Sequence, residues 1–210
     1  MLTGTELQEA LKGAVRRPDP AARLLGVREA MGECHRCRLC EGRRNIVFGV
    51  GDPAARLLVL GEGPGEQEDR KGEPFVGPAG EMLDGMLEKV LGLQRREVYI
   101  LNMVKCRPPN NRNPQDDELE ACRPFLRAQL ASVRPDLVLL LGSVASKALL
   151  GQGITVARGQ WHTMAWPGGG ARVMATFHPA YLLRKPEDKR LTLQDLRALK
   201  AELDKLPPRG

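Results

Sequence analysis

Four short apolar runs constrain this chain most: Leu57–Leu60, Val98–Val104, Leu137–Leu141 and Arg172–Phe177. All but the last are rich in Leu, Val, Ile or Met. A strand that is apolar on both sides must be covered on both sides, which is the condition of a parallel sheet flanked by helices. Helical spacing fills the intervals at Ala79–Leu91, Asp116–Ser132 and Val144–Leu150, and returns at Thr192–Leu206. Strands alternating with helices predict an α/β fold with right-handed crossovers. In such sheets ligands sit beyond the carboxyl ends of the strands.

The amphipathic stretch TELQEALKGAV and the helically spaced AARLLGVREAM precede the first run and are separated by Pro18 and Pro20. They predict an N-terminal helical arm over residues 1–30, ahead of one domain over 31–210. Lys185–Arg190 is expected to form a short charged loop, and the Pro-Pro-Arg-Gly tail to fray. A length of 210 residues suffices for a core without disulfide staples. No apolar run approaches the ~18 residues of a membrane span. The N-terminus lacks the layout of a signal peptide, so the cytoplasm is the expected location. The formal net charge of +6 permits a polyanion partner without requiring one. A monomer is the default expectation.

The five cysteines are Cys34, Cys37, Cys40, Cys106 and Cys122. An odd count in a chain expected in the cytoplasm argues against a disulfide framework. The spacing Cys34-x-x-Cys37-x-x-Cys40 lets neighbouring thiolates turn toward one centre, and Cys106 and Cys122 complete a soft donor set. Spacing leaves zinc and iron–sulfur both open. One thiol is surplus, and spacing does not select it. The plain alternative is that Cys106 and Cys122 fill the core.

Three segments follow strand ends. Gly61-Glu62-Gly63-Pro64-Gly65-Glu66-Gln67-Glu68-Asp69 is a tight turn with carboxylates and no phosphate-loop signature. Its glycines let a flat ligand approach the backbone. Its acids can position or deprotonate water, or simply be solvated. Asn102 offers an acceptor and two donors in one plane, which suits a nucleobase edge; backbone capping is the alternative. Lys105, Arg107 and Arg112 follow it and are candidates to pair with phosphates. The third segment, Phe177-His178-Pro179-Ala180-Tyr181-Leu182-Leu183-Arg184, can present an imidazole into a crevice and a Leu/Arg wedge to a partner. Its alternative is a structural His and a loop packed on the core. Phe75, on a Gly/Pro loop, can stack on a base or anchor its own loop. Trp161, Trp166 and Tyr99 are expected in core or edge positions.

The ordered set GEGPGEQED, GEPFVGPAG, LNMVKCRPP, GS-VA and FHPAYLLR, with Cys34, Cys37, Cys106 and Cys122, resembles the family 4 uracil-DNA glycosylases, which carry a 4Fe–4S cluster. The likeness runs from about Cys34 to Leu199. It implies a three-layer α/β/α sandwich around a central, mainly parallel four-stranded sheet. It selects Cys34, Cys37, Cys106 and Cys122 as ligands of a structural cluster and leaves Cys40 spare. The implied reaction hydrolyses the N-glycosidic bond of uracil in DNA, single- or double-stranded, and leaves an abasic site.

The resemblance also implies roles. Uracil is flipped out of the stack, with Leu182–Arg184 filling the gap and Lys105, Arg107, Arg112 and Arg184 holding phosphates. Phe75 stacks on the ring, Asn102 pairs with O4 and N3–H, and His178 hydrogen-bonds O2 as charge develops. Gly61, Glu62 and Gly63 form the pocket turn. The best-known uracil glycosylases have an Asp where this chain has Gly63, so Glu68, the family-based candidate, or Glu62 is the expected water-activating group, with a water placed chiefly by the backbone around Gly61–Gly65 as the alternative. Some relatives instead trap uracil-DNA covalently through a His in a basic loop. Here Arg107–Pro114 contains no His, which argues against that alternative.

Overall fold

The computed structural model describes residues 2–166 and 168–207. The tail expected to fray lies, from Pro208 onward, outside the described residues. The sheet contains β1 (Val50–Gly51), β2 (Leu57–Gly61), β3 (Tyr99–Asn102), β4 (Leu137–Leu141), β5 (Trp161–Trp166) and β6 (Gly169–Thr176). Their spatial order is β1-β3-β2-β4-β6-β5. The inner four strands run parallel, and β1 and β5 pair antiparallel to β3 and β6 at the two edges. The four inner strands are the four apolar runs, so the expected four-stranded sheet is corrected to six. The added edges left little trace in the sequence. One is two residues long, and the other, Trp-His-Thr-Met-Ala-Trp, is only partly buried.

The helices are α1 (Gly4–Val15), α2 (Pro20–Met31), α3 (Leu39–Gly42), α4 (Glu66–Lys71), α5 (Pro78–Met86), α6 (Asp116–Val133), α7 (Gly142–Leu150), α8 (Ile154–Ala157), α9 (Pro179–Arg184) and α10 (Lys189–Leu203). None among the described residues is long and apolar enough to cross a membrane. Their starts follow from local chemistry. Thr3 and Glu6 close a capping box on α1, and the Asp19 side chain accepts from the Ala22 amide at the start of α2, with Pro20 in the first turn. The first turn of α6 carries Asp116, Asp117 and Glu118, which favours the positive end of the helix dipole. The last turn expected for α5 is present at Leu87–Leu91 but wider than an α-helix.

Alternation along the strands produces two cores. Leu58, Leu60, Val138, Leu140, Val173 and Ala175 pack on one face with Leu126 and Leu130 of α6. Leu57, Val59, Leu137, Leu139 and Met174 pack on the other with Leu83 of α5 and Leu196 of α10. This is the three-layer arrangement. Each fully buried Leu contributes roughly 1.5–3 kcal/mol. The N-terminal helices form a third cluster in which Leu7, Leu11, Val27 and Met31 pack against Phe125 and Ala128 of α6. The Arg23 side chain is buried there and donates from Nε to the Ser132 carbonyl at 3.0 Å.

Candidate active site and thiol cavity

The carboxyl ends of the parallel strands bring three side chains to one cleft. Asn102 closes β3 opposite Gly61 of β2. Pairing continues past the strand ends, with the Met103 amide donating to the Gly61 carbonyl at 3.0 Å. Asn102 is buried, and its Oδ1 has no hydrogen-bond partner among the described residues. Most buried polar atoms are satisfied, so an orphaned acceptor calls for a donor from outside the protein.

Phe75 lies in the loop before α5 with φ at 53°, a region that costs a non-glycine residue energy and therefore needs support. Glu68 supplies it. One carboxylate oxygen accepts from the Val76 and Gly77 amides at 2.9 and 3.1 Å, and the other from the Gly65 amide at 3.1 Å. The phenyl ring lies over Gly61. A Cβ there would sit 2.6 Å from Phe75 Cζ and 2.4 Å from Asn102 Oδ1, so glycine is what admits both groups.

His178 caps α9, and its Nδ1 accepts from the Ala180 amide at 3.1 Å. An amide can only donate, so the proton of the neutral ring resides on Nε2. Burial, then the nearby Arg184 charge, lower its pKa from 6.5 to about 4. The ring stacks against Phe75, with centroids 5.7 Å apart. Gly142, at φ +87°, makes room: a Cβ there would lie 2.9 Å from His178 Cβ. Phe75, Asn102 and His178 line one cleft of about 400 Å³, together with Glu62, Gly63 and Glu68. Burial pushes the Glu62 carboxyl above its usual range. Unlike Glu68, it accepts no hydrogen bond from the described protein groups.

Two expected DNA contacts are corrected. Lys105 is 1% exposed, so it cannot reach a phosphate at the surface. Leu182 is likewise 1% exposed and belongs to the core, because the expected loop is the short helix α9. The leucine it presents outward is Leu183. Arg184 lines the cleft and is exposed. Arg107 donates to Asn111 Oδ1 at 2.8 Å. Arg112 lines the cleft while clamping Glu118 through bonds of 2.6 and 2.8 Å. Chiefly through that clamp, the Glu118 carboxyl is lowered to about 2.

A second cavity is lined by all five cysteines, with Arg43 and Lys105. Burial pushes the Cys106 thiol up to about 11 and the Cys122 thiol up to about 12, so metal binding there must displace protons. Among the described residues, no three His, Cys, Asp or Glu side chains converge tightly enough for one metal ion. Five thiols lining one cavity are a soft donor set of the kind that suits zinc or iron–sulfur. Arg43 escaped sequence reasoning, yet its guanidinium donates to Cys34 O at 2.6 Å and to Cys106 Sγ at 3.4 Å. No spacing rule marks such an arginine, since only the folded chain brings residues 43 and 106 together.

A model of the uracil DNA glycosylase superfamily matches residues 48–200. Type-4 uracil-DNA glycosylases are among the similar proteins. That of Saccharolobus solfataricus is 38% identical over 86% of this chain and 87% of its own length. That of Thermotoga maritima is 41% identical over 85% of this chain and 94% of its own. That of Archaeoglobus fulgidus is 41% identical over 77% and 83%. With the cleft residues gathered at the ends of a parallel sheet and the match spanning that sheet, the chain belongs to the uracil-DNA glycosylase superfamily.

Proposed function

We propose that this chain excises uracil from DNA by hydrolysing its N-glycosidic bond, and that the orphaned Oδ1 of buried Asn102 is the single observation that carries this reading. Uracil N3 bears a hydrogen and cytosine N3 does not. An acceptor held out of water opposite N3 therefore gains a bond from uracil but meets a lone pair on cytosine, whose N4 amine also opposes the carboxamide N–H that would donate to uracil O4. A site built for such a bond discriminates by ~10⁴ or more. Phe75 supplies the flat face against which the extruded ring stacks.

The C1′–N1 bond breaks as water attacks C1′, and the bonding pair leaves with uracil as an anion. His178 Nε2–H donates to uracil O2 and stabilises that charge without itself becoming a cation. Glu62 takes the proton of the attacking water, since its lone pairs are free. Glu68 ties the Phe75 loop to the turn after β2. Arg184, Arg107 and the outward-facing Leu183 meet the DNA, and Arg112 joins them as far as its clamp on Glu118 permits. The protein acts as a monomer on single- or double-stranded substrate.

Cys34, Cys37, Cys106 and Cys122 hold a 4Fe–4S cluster, with Cys40 beside it. When bound, the cluster supplies a four-point cross-link between the segment after α2, the end of β3 and α6. The fit rests on the shared cavity and the all-thiol donor set.

The test is a single-turnover glycosylase assay on matched U·G, U·A, single-strand U and hypoxanthine oligonucleotides. Free uracil and alkali-labile abasic DNA are the expected products. A heat-stable protein–DNA band would mean trapping instead of turnover, and binding without product would mean a DNA-binding module. Iron near four per chain, with broad absorption near ~400 nm, is expected of the purified protein, and stoichiometric zinc would overturn the cluster.

A further inference from the structure

Lys105 stands between the two sites. Its side chain lines the thiol cavity and is almost wholly buried. Its ammonium donates to the main-chain oxygen of Asn102 at 2.6 Å. Its own amide is hydrogen-bonded to the Cys122 sulfur. Its carbonyl accepts from the Val47 amide at 2.8 Å, which fixes the segment in place. Among the described residues no carboxylate pairs with it. A buried ammonium without a countercharge is strongly disfavoured, and a single carbonyl does not neutralise it. Arg43 adds a second cation at the same cavity, its side chain 7% exposed and its N–H on Cys106 Sγ. Its only ion-pair partner among the described residues is Glu33, at 3.9 Å, on a side chain that is 84% exposed. Two buried cations beside a cavity of thiols favour an anionic occupant. A cluster ligated by four thiolates carries net negative charge.

We propose that Lys105 is a positioning residue that couples the two sites: its ammonium offsets the charge of the thiolate-bound cluster and, held there, anchors the Asn102 main chain so that the carboxamide faces the base. This deepens the proposed function and rests on the cluster assigned there. It explains why a lysine occupies a place where an apolar side chain would avoid the desolvation cost. It also gives the cluster a route of influence on base recognition that needs no electron transfer, because the strap spans only Asn102–Lys105, where β3 ends.

The test compares purified wild type and Lys105→Met by iron content, by the reduction potential of the cluster and by single-turnover kinetics on a uracil oligonucleotide. Met keeps the bulk and removes the charge and the strap. Losing a buried positive charge disfavours adding an electron, so the potential of the variant shifts negative. Its uracil release slows by ~10-fold through misplacement of Asn102. A cluster-loaded Lys105→Met with the wild-type potential, or with unchanged release, overturns the proposal. Where Lys105→Met loses its iron or its fold, Lys105→Arg decides. Retained iron with near-wild-type potential and release upholds the coupling, and loss of iron there as well overturns it. Wild type that binds zinc or no metal instead removes the cluster reading itself, a result distinct from all of these.

Discussion

His178 owes its chemistry to its position as a helix cap. The Ala180 amide occupies Nδ1, so Nε2 must present the proton, and burial keeps the ring neutral down to about pH 4. His178→Ala is expected to slow uracil release by at least ~10²-fold while leaving DNA affinity near wild type. Gel shift and single-turnover measurements on one oligonucleotide separate the two effects. Linkage follows from the same shift. The unfolded chain binds the proton near pH 6.5 and the folded chain only near 4, so this residue's contribution to stability is complete above 6.5 and is lost as pH falls through that window. Chemical denaturation at pH 7 and pH 4.5 is expected to show a larger drop for wild type than for His178→Ala. Gly61→Ala addresses the neighbouring contact. A Cβ 2.4 Å from Asn102 Oδ1 forces the carboxamide or the Phe75 ring aside, and release is expected to fall by ~10²-fold with the overall fold retained, as circular dichroism would report.

At the scale of elements, the pocket is a matter of loops pinned to rigid ends. Glu68 of α4 takes two amide hydrogen bonds from the Phe75 segment and a third from Gly65 in its own cap, and the Glu62 carboxyl accepts none from the described protein groups. The two acids, of which the resemblance favours Glu68 and the free carboxyl favours Glu62, therefore separate by experiment. Glu68→Gln is expected to destabilise the fold by about 1–3 kcal/mol, seen as a lower melting temperature. Glu62→Gln is expected to slow release without lowering it. The strand ends themselves were legible beforehand, because uninterrupted apolar runs such as Leu137–Leu141 admit few alternatives. What the letters concealed was direction. Lys105 and Arg107 look alike along the chain, but one turns into the thiol cavity and the other toward Asn111. Leu182 and Leu183 differ in the same way, since a helix turns successive residues about 100° apart and buries only one of them.

For the molecule as a whole, the end of β3 joins two sites: Asn102 serves the cleft, and Cys106, four residues on, serves the thiol cavity. The N-terminal helix α2 borders that cavity through Met31, which packs in one cluster with Phe125 of α6. Each cation paired with a phosphate adds to the fall of DNA affinity with salt, and Arg184→Ala is expected to flatten the plot of log affinity against log salt by roughly one unit of slope. The central claim is that an extruded uracil is read by the Asn102 carboxamide between Phe75 and His178. The most direct measurement is single-turnover base release from matched uracil and cytosine oligonucleotides by wild type and Asn102→Asp. Wild type is predicted to release uracil and spare cytosine, and the variant to lose uracil release by ~10²-fold or more, with cytosine release appearing when the new carboxyl is protonated. An Asn102→Asp variant that keeps wild-type selectivity and rate would contradict the account.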